Sequence, residues 1–226
     1  MLEWKNDEEL FALMRRELYS AVIGDILDQM GRYHQFLPRE VRPIRDDMIV
    51  CGRAMTVREE ALPVTGESVP GEPTFGYMLD ALDGLQEDEV YLCAGSSPDY
   101  AVVGELMCTR MQALGAAGTV MVGPHRDTKG ILELGFPCFS CGGYSQDQAP
   151  RGRVTAWRVP LEIGETHVDP GDIVFGDLEG VVIIPREIEV EVVRRAWEKA
   201  TGEKTVGKAI RAGMSAAEAF QKFGIL

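Results

Sequence analysis

Residues 104–127 read GELMCTRMQALGAAGTVMVGPHRD. A helical pattern of apolar positions runs into Thr119–Val122, a short β-branched strand, and the strand ends by releasing an arginine beside an aspartate. Upstream, Val90–Cys93 reads as another strand, with Ala101–Leu114 as the helix between them. Downstream, Thr128–Leu134 reads as a short helix and Phe136–Ser140 as a strand. Strands alternating with helices predict an α/β fold with a parallel sheet. In such a unit the helix that follows one strand begins at the edge where the next strand ends. The start of the 101–114 helix and the end of the 119–122 strand should therefore meet, at the edge where open α/β sheets bind ligands.

That edge offers two complementary features. Gly104 lets a ligand approach the main chain, and the N–H groups of Glu105, Leu106 and Met107 can hold a small carboxylate with help from the helix dipole. Opposite them, Arg126 can grip a carboxylate or keto oxygen through two donors, and Asp127 is a hard oxygen ligand suited to Mg²⁺ or Mn²⁺. Plain structural roles exist for each residue. Gly104 could be a turn glycine, Glu105 a first-turn acid, Asp127 a helix N-cap and Arg126 one half of an ion pair. Spacing alone leaves both sets of roles open.

Outward from this segment, apolar spacings over residues 7–31 predict N-terminal helices, with Gly31 as a stop. A strand is expected around Ile49–Val57, followed by a long Pro- and Gly-rich loop over 59–76. Beyond residue 150 the texture turns β-rich, at Val154–Val159, Leu161–Ile163, Ile173–Phe175 and Val181–Ile184. Helices over about 186–222 close the chain. No linker or repeat interrupts it, so one domain over 1–226 is expected.

Composition narrows the function classes. The 226 residues are 45% hydrophobic and carry a net charge of −13, with 36 acidic against 23 basic residues. Such a field repels phosphates, which argues against nucleic acid and anionic membrane as partners. The opening MLEWKNDEELFALM lacks the basic start and apolar core of a secretion signal, and no apolar run approaches a membrane span, so a cytoplasmic protein is expected. Five scattered cysteines fit reduced thiols, and the CFSC at 138–141 fits alternating strand residues better than a metal site, since no second close pair exists.

Glu105, twenty intervening residues, then Arg126-Asp127 resembles the motif of the class II aldolases that cleave 4-hydroxy-4-methyl-2-oxoglutarate. Their RraA-like family also contains the regulator of ribonuclease E activity. IGDILDQMG (23–31), CGRAMTV (51–57), GFPCFSCG (135–142) and PGDIVFGDLEGVVIIP (170–185) resemble further family landmarks in order. The resemblance covers roughly residues 10–200. It implies an αββα sandwich with a central mixed sheet, of the swivelling β/β/α type, assembled as a homotrimer or hexamer with sites near subunit boundaries. It also implies a divalent cation, Mg²⁺ or Mn²⁺, held directly by Asp127 and otherwise by water. Substrate would lie on Arg126 and the Gly104–Met107 main chain. Glu105 stands where the best-known aldolases have aspartate, and His125 stands where a small or apolar residue is commoner.

The activity so implied is cleavage of a 4-hydroxy-2-oxo acid to pyruvate, with oxaloacetate decarboxylation through the same enolate. Arg126 and the cation would stabilise the developing charge, and Glu105 is the candidate for the water that moves the proton. The alternative carried by the same resemblance is a non-catalytic regulator that docks on ribonuclease E.

Overall fold

The N-terminal periodicity resolves into α1 (Asp7–Glu17) and α2 (Ser20–Gln29) in the computed structural model, which describes residues 3–63 and 74–224. Asn6 caps α1 by accepting from the Glu9 N–H at 2.9 Å, and Asp7, Glu8 and Glu9 place negative charge at the positive end of the helix. After α2, Gly31 takes a left-handed φ of 75° and turns the chain toward β1 (Arg42–Pro43).

The hub of the fold is β2 (Val50–Ala61). After α3 (Met78–Asp83), β3 (Glu89–Ala94) runs parallel to it. Parallel strands continue through α4 (Glu105–Ala113), β4 (Gly118–Met121), α5 (Thr128–Leu134) and β5 (Cys138–Ser140). The β-rich half supplies β6 (Gly152–Trp157), the hairpin β7 (Leu161–Ile163) and β8 (Thr166–Val168), then β9 (Ile173–Asp177) and β10 (Gly180–Ile184). The sheet order is β1-β5-β4-β3-β2-β9-β10, with β6 pairing antiparallel to the far end of β2. The sheet is therefore mixed: a parallel centre with antiparallel flanks. A long helix, α6 (Glu189–Arg211), and a capped α7 (Ala216–Phe223) follow.

Three apolar clusters show how the layers stack. Phe11, Met14, Ile23 and Leu27 of the first two helices, with Val192 and Val193 of α6, pack on Cys51, Phe175 and Val182. On the other side, Met78, Cys108, Met111 and Ile131 of α3, α4 and α5 pack on Met55, Val57, Tyr91 and Met121. Between them the sheet curls so that Val120 and Phe139 from one end share a core with Val174, Val181 and Ile183 from the other. Helix, sheet, sheet and helix give the αββα sandwich, nearly closed. Arg53 of β2 ties the layers together: it donates from Nε to Asp7 at 2.7 Å, pairs with Glu189, and lies 5.5 Å over the Phe11 ring. That contact holds the Asp7 carboxyl below its ordinary pKa.

Two differences from the expected boundaries bear on the site, each for a tertiary reason. The strand expected to stop near Val57 continues to Ala61 because β6 pairs with it, and a register shift between Arg58 and Glu59 marks a bulge. Residues 59–61 of the expected loop are thus strand, and residues 64–73 lie outside the described residues. The helix expected from Ala101 begins at Glu105, because the backbone of 101–103 bonds to other loops. Ala101 N–H donates to Gln146 O at 2.8 Å and Val102 N–H to Pro124 O at 2.9 Å. Among the described residues, no helix is long and apolar enough to cross a membrane.

Gly52 sits where β2 crosses Asp88 and Ala117. A Cβ there would drive into the Asp88 carbonyl oxygen and come 2.9 Å from the Ala117 Cβ. Gly52→Ala is expected to cost ~1–3 kcal/mol of stability, the usual penalty for overpacking. A urea-unfolding midpoint equal to that of the parent chain would contradict this packing.

Candidate functional site

Three loops zip together at the carboxyl edge of the parallel strands. Val103 bridges His125, His125 bridges Gly143, and Ala101 bridges Asp147, all in parallel sense. Arg126 N–H donates to Val103 O at 2.9 Å, His125 N–H to Gly142 O at 3.0 Å and Tyr144 N–H to His125 O at 2.7 Å. His125 is buried behind this seam. Its Nδ1 lies 2.7 Å from Ser140 Oγ and its Nε2 2.8 Å from Thr128 Oγ1, and burial pushes its pKa below the ordinary value. A neutral imidazole with both nitrogens engaged is a pin for the backbone that presents Arg126.

The pin makes the next two residues available. Asp127 occupies the N-cap position of α5 with φ 58° and ψ 37°, a left-handed conformation that asparagine and aspartate tolerate better than most residues. Its side chain makes no capping bond to α5. Instead Oδ2 accepts from the Glu105 N–H at 3.3 Å, reaching across to the first turn of α4. Arg126 lies between two carboxylates, with Nε 3.7 Å from Asp127 Oδ2 and a terminal nitrogen 3.2 Å from Asp147 Oδ1. All three side chains are partly exposed, so they are open to a ligand.

Gly104 is the N-cap of α4 in extended backbone, and the close approach depends on its missing side chain. A Cβ at this position would stand 2.6 Å from Asp127 Oδ2 and 3.3 Å from Arg126 Nε. The first intrahelical bond of α4 is Cys108 N–H to Gly104 O, which leaves the N–H groups of Leu106 and Met107 without a partner inside the helix. Ala101–Gly104, Leu106, Met107, Arg126, Asp127 and Asp147 line a cavity of about 110 Å³, completed by Phe75, Met78 and Gln148. Arginine, aspartate and the amide end of a helix thus face one another across a single small space.

The RraA-like family profile, described as Aldolase/RraA, matches residues 20–183. The chain belongs to the RraA-like family. A Halalkalibacterium halodurans protein provisionally named a 4-hydroxy-4-methyl-2-oxoglutarate aldolase is 26% identical over 210 residues, covering 93% of each chain. The crystal structure of an uncharacterized Pseudomonas syringae protein superposes with a TM-score of 0.84 at 25% identity, covering 99% of this chain and 98% of that one. Streptomyces coelicolor RraAS2, described as an unusual member of the RNase ES inhibitor RraA protein family, shares the fold. Its TM-score is 0.76 at 23% identity, with 90% of this chain and 98% of that one covered. The family therefore holds both aldolase-type and ribonuclease-inhibitor members.

Of the residues that sequence reading brought together, Gly104, Leu106, Met107, Arg126 and Asp127 line this one cavity. Glu105 takes part through its main-chain N–H. Its carboxylate lies over Gly130 of α5, where even a Cβ would collide with it, and does not line the cavity. Sequence reading missed Asp147 and Gln148, which arrive from a turn with no periodic pattern. It also missed Glu59, which the bulge in β2 turns inward. Glu59 is 1% exposed, and its Oε1 accepts from Gln148 Nε2 at 2.6 Å and from the Tyr100 hydroxyl at 3.2 Å. Its Oε2 has no hydrogen-bond partner among the described residues. Of the CFSC residues, 138–140 form β5 and are buried throughout rather than alternating, and Cys141 is exposed just past the strand.

Burial pushes the Glu59 carboxyl up from 4.5 to about 7, against the opposing pull of Gln148 and Tyr100. Burial also raises the neighbouring Tyr91, Cys93 and Tyr100, so these stay neutral over the same range. A folded-state pKa above the unfolded one favours the fold fully below about 4.5 and loses that contribution as pH rises through about 7. Between about pH 5 and pH 8 this group alone is expected to remove ~2–3 kcal/mol of stability. Glu59→Gln should flatten that slope in unfolding measured across the range, and an unchanged slope would show that Glu59 titrates normally.

Proposed function

We propose that this cavity binds a small 2-oxo acid and cleaves the C3–C4 bond of a 4-hydroxy-2-oxo acid to release pyruvate. That is the reaction type in the name of the H. halodurans relative. One observation carries the reading: Arg126 and Asp127 stand across a cavity from the amide end of α4, in contact over Gly104. A 2-oxo acid carries its carboxylate and its keto oxygen on adjacent carbons, and the two faces of this cavity offer donors for both.

The residues fit a divalent cation of a particular kind. Among the described residues, no three His, Cys, Asp or Glu side chains converge on one point. Asp127 alone would therefore hold Mg²⁺ or Mn²⁺, with water and substrate filling the rest, as suits a hard ion that dehydrates reluctantly. Its carboxylate is 47% exposed and is not spent on capping its helix. When bound, such an ion supplies Lewis-acid polarisation of the keto group.

The chain's own groups do the rest. The Leu106 and Met107 N–H groups and Arg126 orient the carboxylate and keto oxygen, while the Glu105 N–H holds the Asp127 carboxylate in place. Asp147, the second cavity carboxylate, takes the proton from the C4 hydroxyl directly, where sequence reading had Glu105 hold a water that moves it. As the C3–C4 bond breaks, its electron pair passes into the enolate of pyruvate, and Arg126 faces the oxygen where the charge grows. The C4 fragment leaves as a carbonyl compound, and a solvent proton on C3 completes pyruvate. Oxaloacetate would reach the same enolate by losing CO₂ and needs no base. The same reading has the chain assemble as a homotrimer or hexamer, in which a neighbouring subunit covers the exposed Leu106 of the cavity lining.

Asp127→Ala is expected to abolish Mg²⁺-dependent pyruvate release while thermal unfolding stays that of a folded protein. Full activity in this variant, or in excess EDTA, would exclude the mechanism. Arg126→Ala should lose ~2–3 kcal/mol of transition-state binding, read as kcat/KM, because a charge-assisted contact goes. Gly104→Ala, which removes no functional group, should lower kcat/KM by ~10²-fold through misplacement alone. Should the protein instead act only by docking on a ribonuclease, all three variants would be silent in a pyruvate assay that the parent chain also fails.

A further inference from the structure

The described lining of the cavity contains a single cation. Arg126 stands against Asp127 and Asp147, and the wall beyond them consists of Phe75, Met78 and Gln148. Arg151, the next arginine along, donates from its side chain to the Asp147 and Ala149 carbonyl oxygens rather than lining the space. Residues 64–73, VTGESVPGEP, contain no Lys, Arg or His. The C1 carboxylate of a 2-oxo acid uses the positive charge this site has. A second carboxylate at the C4 end would lie beside Asp147 against an apolar wall, and the described lining offers it no cation. Such a burial is costly.

Gln148 is different from its neighbours on that wall. It is 3% exposed, and its side-chain Nε2 is pinned at 2.6 Å by Glu59 Oε1, which the Tyr100 hydroxyl holds in turn. Its backbone oxygen is also occupied, accepting from the Arg151 and Gly152 N–H groups at 2.5 and 2.9 Å. Gly152 makes the arrangement possible, since a Cβ there would strike the Tyr100 hydroxyl. An amide fixed this firmly in an otherwise apolar wall is built to read a neutral hydrogen-bonding group.

Resting on the aldolase reading above, we propose that Gln148, positioned by Glu59, selects 4-hydroxy-2-oxo acids that carry one carboxylate and a neutral C4 end over their dicarboxylate counterparts. Gln148 is the specificity-determining residue. Glu59 does not line the cavity and acts through Gln148 as a positioning residue.

The test compares Mg²⁺-dependent pyruvate release from 4-hydroxy-2-oxopentanoate and from 4-hydroxy-4-methyl-2-oxoglutarate, using the full chain. The expected result is a kcat/KM at least ~tenfold higher for the monocarboxylate. Gln148→Ala should erase most of that ratio, and Gln148→Arg should reverse it by giving the second carboxylate a partner. Glu59→Gln keeps an acceptor for Gln148 and should preserve the ratio, whereas Glu59→Ala should lower it mainly through KM for the monocarboxylate. A parent chain that prefers the dicarboxylate, or a ratio indifferent to Gln148, overturns the selectivity proposal and leaves the aldolase reading standing. No pyruvate from either substrate overturns both.

Discussion

Position 104 has room for a hydrogen atom and nothing larger. Because that Cβ is missing, the aspartate carboxylate at 127 can come within reach of the first N–H of α4, and the Arg126 side chain can lie alongside. The rest of the site depends on this approach. A helix end supplies partial positive charge and Arg126 a full one, and both face an anionic oxygen ligand across a space sized for a small acid. Asp127 takes a left-handed backbone conformation there without gaining a capping bond for its own helix. Such a residue is better explained by what it faces than by what it stabilises locally.

The fold exists to hold that contact still. Parallel strands β3 and β4 bring their carboxyl ends to one edge, and bridges among residues 101–103, 125 and 143–147 convert three loops into a small ladder. His125, buried and neutral between Ser140 and Thr128, locks the middle rung. The Arg53 contacts with Asp7 and Glu189 fix the opposite helical layer to the same long β2 strand. That strand also carries Glu59 into the wall behind the cavity. One twelve-residue strand thus links the core of both layers to the rear of the site.

Much of this was legible in the residues, and the exceptions have physical causes. The helix-to-strand run over 104–122 announced a parallel unit, and the strand edge placed Gly104 opposite Arg126-Asp127. Both readings rest on local periodicity and chain geometry, which a single sequence carries. Asp147 and Gln148 were invisible because nothing local marks a turn as cavity wall; only the bridge from Ala101 to Asp147 puts it there. Glu59 was hidden by its company: two glutamates before a Pro- and Gly-rich stretch read as solvent-facing loop, and a bulge in β2 reverses that. The plain roles weighed for Arg126 and Asp127 are partly real. Arg126 does pair with neighbours, and Asp127 does sit at an N-cap position, but both carboxylates that Arg126 meets line the cavity and the capping bond is not made.

The most direct measurement is anomalous diffraction from crystals soaked with Mn²⁺ and pyruvate. A manganese peak at the Asp127 carboxylate, with the pyruvate carboxylate between Arg126 and the N–H groups of α4, is the expected result. Manganese bound away from Asp127, or pyruvate lying outside the space between Gly104 and Arg126, would contradict it.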